Sequence, residues 1–436
     1  MAATSTDAVA VSDSSDSEPL EPESGVSDET GTEDEAGNAQ ELPPVRLALI
    51  VMMSVIQGYT LIGPLQHDLK VKLSFGDTGA TGHVFTTAVT CVQYGKMVMT
   101  LGQNAILGCL SLKQRVYLAA FVMFLGCLIP LCVFLFDLTW VGLVFISYSM
   151  IGFALGVFEP TFLSVITPLG PLTKSWAIMG FPAAFGMINI VGMSLVALGM
   201  TVELCFLWIA LCLPAGAFVF HKYVAPQKAV DAKGRSHAQA SLRHSIKDFW
   251  SWLPRMVPFF LANFVSHFAM ECIIPANLNT YNGDVVAMFG GSGTSSHLKK
   301  RWYFVVLFVW VLVGDMGSRR VGYCFSLSTY RTNLAALHVA VALNAAGIWL
   351  TTFGIAIISW PAAMLAFAGA GFNYAIAAKY IDKQVPRQHN IAAYSTWMFI
   401  GYFGAIMGSQ LVDSVRFWIC HGQEQPYQCH AGHHRY

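Results

Sequence analysis

The chain has 436 residues, of which 55% are hydrophobic and only 11% are charged, and its formal net charge is zero. Soluble domains carry about 25% charged residues, so a soluble globule of this size could not cover its surface with so few charges. The same composition excludes a disordered chain, a collagen, a coiled coil and a disulfide scaffold, and it leaves a protein that crosses a membrane several times.

The first residues differ sharply from the rest of the chain in charge. Residues 1–41 contain twelve acidic residues and no lysine or arginine, which leaves 25 basic against 13 acidic residues in the remainder. A segment so poor in bulky apolar residues cannot offset the entropy of ordering. We therefore predict an acidic disordered head over 1–44. It has neither the basic start nor the early apolar stretch of a signal peptide.

Apolar runs long enough to cross a bilayer follow in two groups. Six are predicted at 45–65, 83–107, 116–136, 140–166, 176–199 and 203–222, and five at 255–278, 301–317, 333–353, 355–380 and 391–412. We therefore predict an all-α polytopic membrane protein with about eleven transmembrane helices. Its parts are a six-helix half (45–222), a basic cytosolic loop (223–254), a five-helix half (255–412) and a polar tail rich in Cys and His (413–436).

The distribution of lysine and arginine sets the expected orientation. With the N-terminus in the cytosol, seventeen of the 25 basic residues fall on the cytosolic side, seven on the other side and one within a span. Six helices, a long basic loop and a second helical set are the outline of a two-halved transporter of the major facilitator type. Glycine and basic residues follow both the second and the eighth span, which is a weak sign of an internal repeat. These segments are predicted cytosolic gate turns, with Arg115, Ser318 and Arg319.

Ionisable side chains inside a span are costly, so each is a candidate site residue. Glu159 precedes Pro160, and proline-broken helices line binding cavities. Because desolvation disfavours charge, a carboxylate here could carry a proton, or it could clasp two helices. Lys96 and Glu271, one in each half, could pair across a cavity or bind an anionic and a cationic group of a substrate. Snorkelling is the alternative for Lys96.

Two further candidates lie at predicted span ends on the non-cytosolic side. His67 and Asp68 end the first span, where a protonated histidine in an acidic lumen would pair with the acid as a pH-sensitive gate. A plain helix cap is the alternative. Arg301 opens the eighth span after two lysines, and arginine binds phosphate through a two-pronged fork. This basic mouth would attract anionic solutes, or it anchors the helix at lipid headgroups.

Signatures of enzymes and of nucleotide-driven pumps are absent from the sequence: there is no Walker loop, dinucleotide fingerprint, HExxH or nucleophile elbow. We predict a protein that is not an enzyme and uses no cofactor or metal. Its expected partners are a small-molecule substrate, protons and the lipid bilayer, and no nucleic acid. In the tail, Cys420 and Cys429 match no standard zinc spacing, and a disulfide in an oxidising lumen is an equal alternative.

The segment Gly156–Ser164, with the sequence GVFEPTFLS, precedes Ser175, Trp176 and a glycine-containing helix. This order resembles the battenin family of lysosomal membrane proteins, which has an acidic Glu-x-Thr-Phe-Leu-Ser segment, Ser-Trp and then a Gly-rich helix. The pair at 67–68, the segments at 257–258 and 301–303 and the pair at 318–319 also fit, in the same order. So do the acidic head and the six-plus-five helix count. The resemblance covers roughly residues 45–412.

The resemblance implies a major facilitator fold and a lysosomal or vacuolar membrane location. It implies a role in exporting glycerophosphodiesters, the deacylated phospholipid headgroups, and in lysosomal pH homeostasis. Functional positions carried over from the family are Glu159, Arg301, His67 and Asp68, with Glu159 coupling to protons and Arg301 attracting the phosphate. The alternatives are a transporter of basic amino acids or nucleosides, and a non-transporting scaffold that recruits trafficking factors.

Overall fold

Eleven long helices make up most of the described chain. The computed structural model describes residues 45–62, 65, 68–69, 72–73, 80–225, 249–280, 285–289, 296–325, 329–386, 389–412 and 414. The helices are α1 (Ala48–Thr60), α2 (Ala80–Ile106), α3 (Leu112–Leu135), α4 (Gly142–Ile166), α5 (Pro171–Ala197), α6 (Val202–Val224), α7 (Phe249–Thr280), α8 (Lys300–Cys324), α9 (Tyr330–Thr351), α10 (Ala356–Gln384) and α11 (Asn390–Gln410). Strands β1 (Val285–Ala287) and β2 (His297–Lys299) form an antiparallel hairpin, with Val285 opposite Lys299.

Several predictions fall on residues outside this description. They concern the acidic head, most of the basic loop, His67 and nearly all of the Cys/His tail. Those predictions stay predictions. The predicted all-α, two-halved bundle with eleven helices, six before the loop and five after it, is confirmed.

Local sequence signals set where individual helices begin. The Ser111 hydroxyl accepts a hydrogen bond from the Gln114 backbone N–H, and Gln114 Oε1 accepts one from the Ser111 backbone N–H, so α3 starts at a reciprocal cap. Proline occupies the first position of α5, where its missing N–H has no helical partner to lose. Gly170 before it has φ +92°, a conformation that favours glycine. Helix α5 later widens into a π-turn at Met187–Gly192.

The surface of the bundle is that of a membrane protein. Within the described residues, eight helices are long and apolar enough to cross a membrane. Large apolar side chains are exposed on the outer helices, among them Phe121, Leu211 and Trp349, whereas several charged side chains are buried. Helices α2 and α8 are less apolar, because polar and charged residues lie along them. Their buried charges lie where the two halves meet.

The two halves repeat the same packing. In each, the first helix contacts the fifth, and the fourth contacts both the second and the third: α1–α5 in one half corresponds to α7–α11 in the other. A Cβ added at Gly156 would lie 2.5 Å from the Lys96 carbonyl oxygen, and one added at Gly371 would lie 2.5 Å from that of Asp315. The glycines therefore allow equivalent close contacts, α4 with α2 and α10 with α8. The halves meet mainly along α2–α11 and α5–α8.

The predicted gate turn at Ser318 and Arg319 is wrong. These residues lie inside α8, which continues to Cys324. Asp315 and Arg319 are one helical turn apart, so their side chains meet on one face of the helix and neutralise each other while buried. The polar run that suggested a loop is therefore an internal charged face. Residues 108–111 do form a turn before α3, as expected.

Candidate functional site

Glu159 joins the two halves of the protein. It lies on α4, is 4% exposed, and accepts hydrogen bonds from the Tyr374 hydroxyl at Oε1 (2.6 Å) and from the Tyr402 hydroxyl at Oε2 (2.9 Å). Tyr374 is on α10 and Tyr402 on α11, both in the second half. Each of the two carboxylate oxygens therefore accepts one hydrogen bond from the second half.

Asp315 and Arg319 extend this contact through α8. Arg319 donates to both carboxylate oxygens of Asp315, at 2.6 and 3.2 Å, and to the Ile178 carbonyl on α5 at 3.3 Å. Its guanidinium carbon lies 4.3 Å from the ring centre of Tyr374. Arg319 therefore reaches the same tyrosine that holds Glu159, and it ties α8 to α5 across the interface of the halves.

The Lys96 ammonium lies between two aromatic rings. Lys96 is 4% exposed, and its Nζ lies 4.0 Å from the ring centre of Tyr59 on α1 and 4.8 Å from that of Tyr402 on α11. Such cation–π contacts stabilise a desolvated ammonium. Among the residues that the structure describes, none accepts a hydrogen bond from this nitrogen.

We call the central cluster the group of six buried residues that these contacts connect: Lys96, Glu159, Asp315, Arg319, Tyr374 and Tyr402. It contains two positive and two negative side chains. The repeat gives it internal symmetry, since Glu159 lies three residues after Gly156, and Tyr374 lies three residues after Gly371. Equivalent positions of the two halves thus bind each other.

Glu271 on α7 lies beside the cluster and remains half-buried. Its Oε1 accepts a 3.4 Å hydrogen bond from Gln93 Nε2 on α2, and its carboxylate interacts electrostatically with Lys96. His267, one turn earlier on α7, packs edge-on against Tyr402. The contact to Glu271 across the halves is thus made by Gln93, and the predicted pairing of Lys96 with Glu271 stays a prediction.

One polar face of α2 explains why these residues converge. Gln93, Lys96, Thr100 and Gln103 are spaced by three, four and three residues, so they share one side of the helix. Gln103 accepts a hydrogen bond from Thr161 at 2.8 Å and donates to Ser395 at 3.3 Å. Of these four residues, only Lys96 is charged and therefore conspicuous in the sequence. The helical spacing was the signal that would have found the others.

A second contact between the halves lies at the end of the bundle where α5 begins, which we call the Lys174 end. Lys174 Nζ donates to Asp382 Oδ1 on α10 at 2.7 Å and to Thr167 Oγ1 at 2.9 Å. The Tyr394 hydroxyl on α11 also donates to Asp382, at 3.2 Å. The pair is not visible in the sequence, because its two members lie 208 residues apart.

Arg301 lies far from the central cluster. It is exposed in the first turn of α8, where its guanidinium donates to the Val196 carbonyl at 3.5 Å. Eighteen residues separate it from Arg319 on one continuous helix, which corresponds to about 27 Å. Arg301 therefore does not join Glu159 in one site. It lies at the opposite end of the bundle from Lys174.

The other predicted site residues have local surroundings. Arg115 is buried and donates to the carbonyls of Leu107 and Leu110 and to Asn104, so it braces the α2–α3 turn within one half. Asp68 is half-buried, and its predicted partner lies outside the described residues. Within the described part of the chain, no three His, Cys, Asp or Glu side chains come together as metal ligands would.

No family model matches the chain, and no curated protein matches its sequence. Solved structures match its fold. The major facilitator proton:xylose symporter XylE has a TM-score of 0.63 at 11% identity, over 87% of this chain and 90% of that one. The E. coli fucose:proton symporter FucP has a TM-score of 0.56 at 13% identity, over 86% and 98%. The human organic anion transporter MFSD10 has 0.55 at 13%, over 87% and 96%. The chain has the major facilitator fold.

Proposed function

We propose that this protein is a battenin-like secondary transporter that exports glycerophosphodiesters from the lysosome or vacuole and contributes to lysosomal pH homeostasis. The fold supports a carrier that works by alternating access between two halves. The battenin-like order of residues in the first half supports the substrate and the location. In this proposal the N-terminus is cytosolic, which makes the Lys174 end the cytosolic end.

The observation that carries the proposal is the Glu159 carboxylate held by two tyrosines of the opposite half. A proton on one carboxylate oxygen turns that acceptor into a donor. It then competes with the tyrosine hydroxyl that donates there, and one of the two bonds between the halves is lost or reversed. Proton binding at Glu159 would thereby favour separation of the halves at this point, which couples proton movement to the change of access.

Lys96 is the proposed partner of the phosphodiester anion within the protein. It is buried between the halves, whereas Arg301 is exposed and lies about 27 Å along α8 from Arg319 of the central cluster. We assign Arg301 a separate role at the mouth on the opposite, luminal side. There its exposed charge would raise the local concentration of an anionic substrate. The two cations would thus act in sequence, first attraction and then binding.

Uptake by vesicles tests this function. The purified full chain is reconstituted into proteoliposomes, and labelled glycerophosphodiesters are supplied under imposed pH gradients of both signs. We expect uptake that depends on the gradient in wild-type protein and in the control Lys222→Gln, which alters an exposed lysine outside the cluster. Protein that moves no glycerophosphodiester under any gradient overturns the proposal. Metabolite profiling of purified organelles with and without the protein tests the location.

Glu271 favours one alternative, a transporter of cationic amino acids. It is a half-buried acid facing the interface of the halves, and an acid in such a place would attract a cation. Competition uptake separates the two functions. If lysine and arginine compete poorly with a labelled glycerophosphodiester, the proposed glycerophosphodiester transport stands. If basic amino acids are moved and phosphodiesters are not, the alternative replaces it.

A further inference from the structure

We infer that Gln93, Lys96 and Glu271 form a binding site for a small zwitterion carrying a primary ammonium and an anionic oxo group. This inference rests on the proposed transport function and names the class of substrate that the central cluster would receive. The two charged groups of the ligand would bridge the two halves, because Gln93 and Lys96 belong to α2 and Glu271 belongs to α7.

The Lys96 ammonium requires an anion. It is almost fully buried, its near neighbours are two aromatic faces, and no described residue accepts its hydrogen bonds. A buried ammonium without acceptors is costly, since it has lost its water. An anionic oxo group placed beside it, from a phosphodiester or a carboxylate, would supply the missing acceptors and the opposite charge.

Gln93 and Glu271 require a donor. The Gln93 Oε1 atom is buried without any hydrogen-bond partner, and the single bond that Glu271 accepts is long, at 3.4 Å. Both side chains remain half-buried, so part of each is accessible. A primary ammonium brings three N–H donors to such acceptors. A quaternary ammonium brings charge without donors, and an alcohol brings neither the charge nor as many donors.

The spacing and charge of the site select a compact ligand. Gln93 and Lys96 are three residues apart on one face of α2, a rise of about 4.5 Å along the helix. Because the two side chains leave α2 less than one turn apart, a compact ligand can reach both. One lysine and one glutamate make the site neutral, so a zwitterion satisfies both charges. A simple anion would be repelled by Glu271, and a simple cation would be repelled by Lys96.

Ligand-induced thermal stabilisation of the detergent-purified full chain measures binding without transport. The probes are glycerophosphoethanolamine, glycerophosphocholine, glycerophosphoglycerol and alanine. In that order, they represent a zwitterion with N–H donors, a zwitterion without them, an anion alone and a carboxylate zwitterion. For the wild type we expect glycerophosphoethanolamine to bind about tenfold more tightly than glycerophosphoglycerol, as one charge-assisted hydrogen bond provides. Glycerophosphocholine should fall between them.

Variants separate the roles of the two charges. Glu271→Gln should remove the preference for glycerophosphoethanolamine over glycerophosphoglycerol, and Glu271→Asp, which keeps the charge, should restore most of it. Lys96→Gln should weaken all three phosphodiesters together. Lys222→Gln, the exposed control, should change nothing. Equal binding of glycerophosphoglycerol and glycerophosphoethanolamine by the wild type, or a preference that survives in Glu271→Gln, overturns the inference.

The remaining outcomes distinguish this inference from the proposed function. Protein that binds glycerophosphoethanolamine selectively but moves nothing in vesicles retains the site and loses the transporter. If the protein transports glycerophosphoglycerol in preference to glycerophosphoethanolamine, the transport function stands and the zwitterion site is refuted. Binding of alanine without binding of any phosphodiester keeps the zwitterion site with a carboxylate as its anion, and it removes the battenin-like substrate.

Discussion

Two tyrosine hydroxyls give Glu159 its place in the structure, and neither tyrosine stood out in the sequence. The glutamate was predictable because a carboxylate within an apolar run is costly and proline followed it. Tyr374 and Tyr402 were not, because tyrosine is common in apolar helices and these two lie 215 and 243 residues from Glu159. Contacts at such separations follow from tertiary packing, which a local pattern does not encode.

Removing either hydroxyl should weaken the contact between the halves. Tyr374→Phe and Tyr402→Phe each delete one hydrogen bond to a charged group, which contributes about 1.5–3 kcal/mol. We expect a lower melting temperature for both variants in detergent and a shift in the pH at which transport is half-maximal. Tyr330→Phe, at an exposed tyrosine on α9, is the control. A pair of variants indistinguishable from this control would contradict the role assigned to the hydroxyls.

Glycines allow close contacts between helix pairs within each half. The helices themselves were predictable from the sequence. Long apolar runs predicted all eleven. The end of α8 was misplaced because the run GDMGSRR has the composition of a turn. Burial of the Asp315–Arg319 pair against α5 and α10 allows that run to continue as a helix. The composition of the run shows that it is charged, but it does not show that Asp315 and Arg319 neutralise each other inside the protein.

An added methyl group tests these close approaches. In Gly371→Ala the new Cβ would lie 2.5 Å from the Asp315 carbonyl oxygen, which forces α10 and α8 apart. Such overpacking destabilises by about 1–3 kcal/mol, so we expect a lower melting temperature and weaker transport. Gly317→Ala on the same helix pair is the matched control, because its Cβ would meet nothing within 4 Å.

The control should be neutral or stabilising by up to about 1 kcal/mol, since alanine has the higher helix propensity. Equal melting temperatures for the two alanine variants would show that the glycines are not needed for the approach of α8 and α10. Gly156→Ala repeats the test in the other half, where the contact is with the Lys96 carbonyl oxygen.

The two halves close against each other at the Lys174 end, where a buried lysine of α5 pairs with Asp382 of α10. The sequence indicated two halves through its helix count and its basic loop. It did not indicate which charges would meet, because the repeat is visible in packing and in glycine positions more than in residue identity. The contact between Glu159 and Tyr374 forms only when α4 and α10 are brought together.

Breaking this pair should open the Lys174 end. Loss of one partner of a buried ion pair costs about 3–5 kcal/mol, and the cost applies only to the state in which the pair is closed. With the ten native cysteines replaced, Ser175→Cys provides a reporter that is buried beside Lys174. We expect Lys174→Gln to raise its alkylation rate several-fold, while Lys222→Gln leaves the rate unchanged. An unaltered rate in Lys174→Gln would exclude a gate at this pair.

Proton movement that accompanies substrate movement tests the role of Glu159 most directly. In proteoliposomes with an internal pH indicator, adding substrate to wild-type protein should change the internal pH as the solute crosses. Glu159→Gln should still exchange labelled for unlabelled substrate but should move no protons, and Glu203→Gln, at an acid in the first turn of α6, should behave as the wild type does. Proton movement of wild-type size in Glu159→Gln would contradict the account.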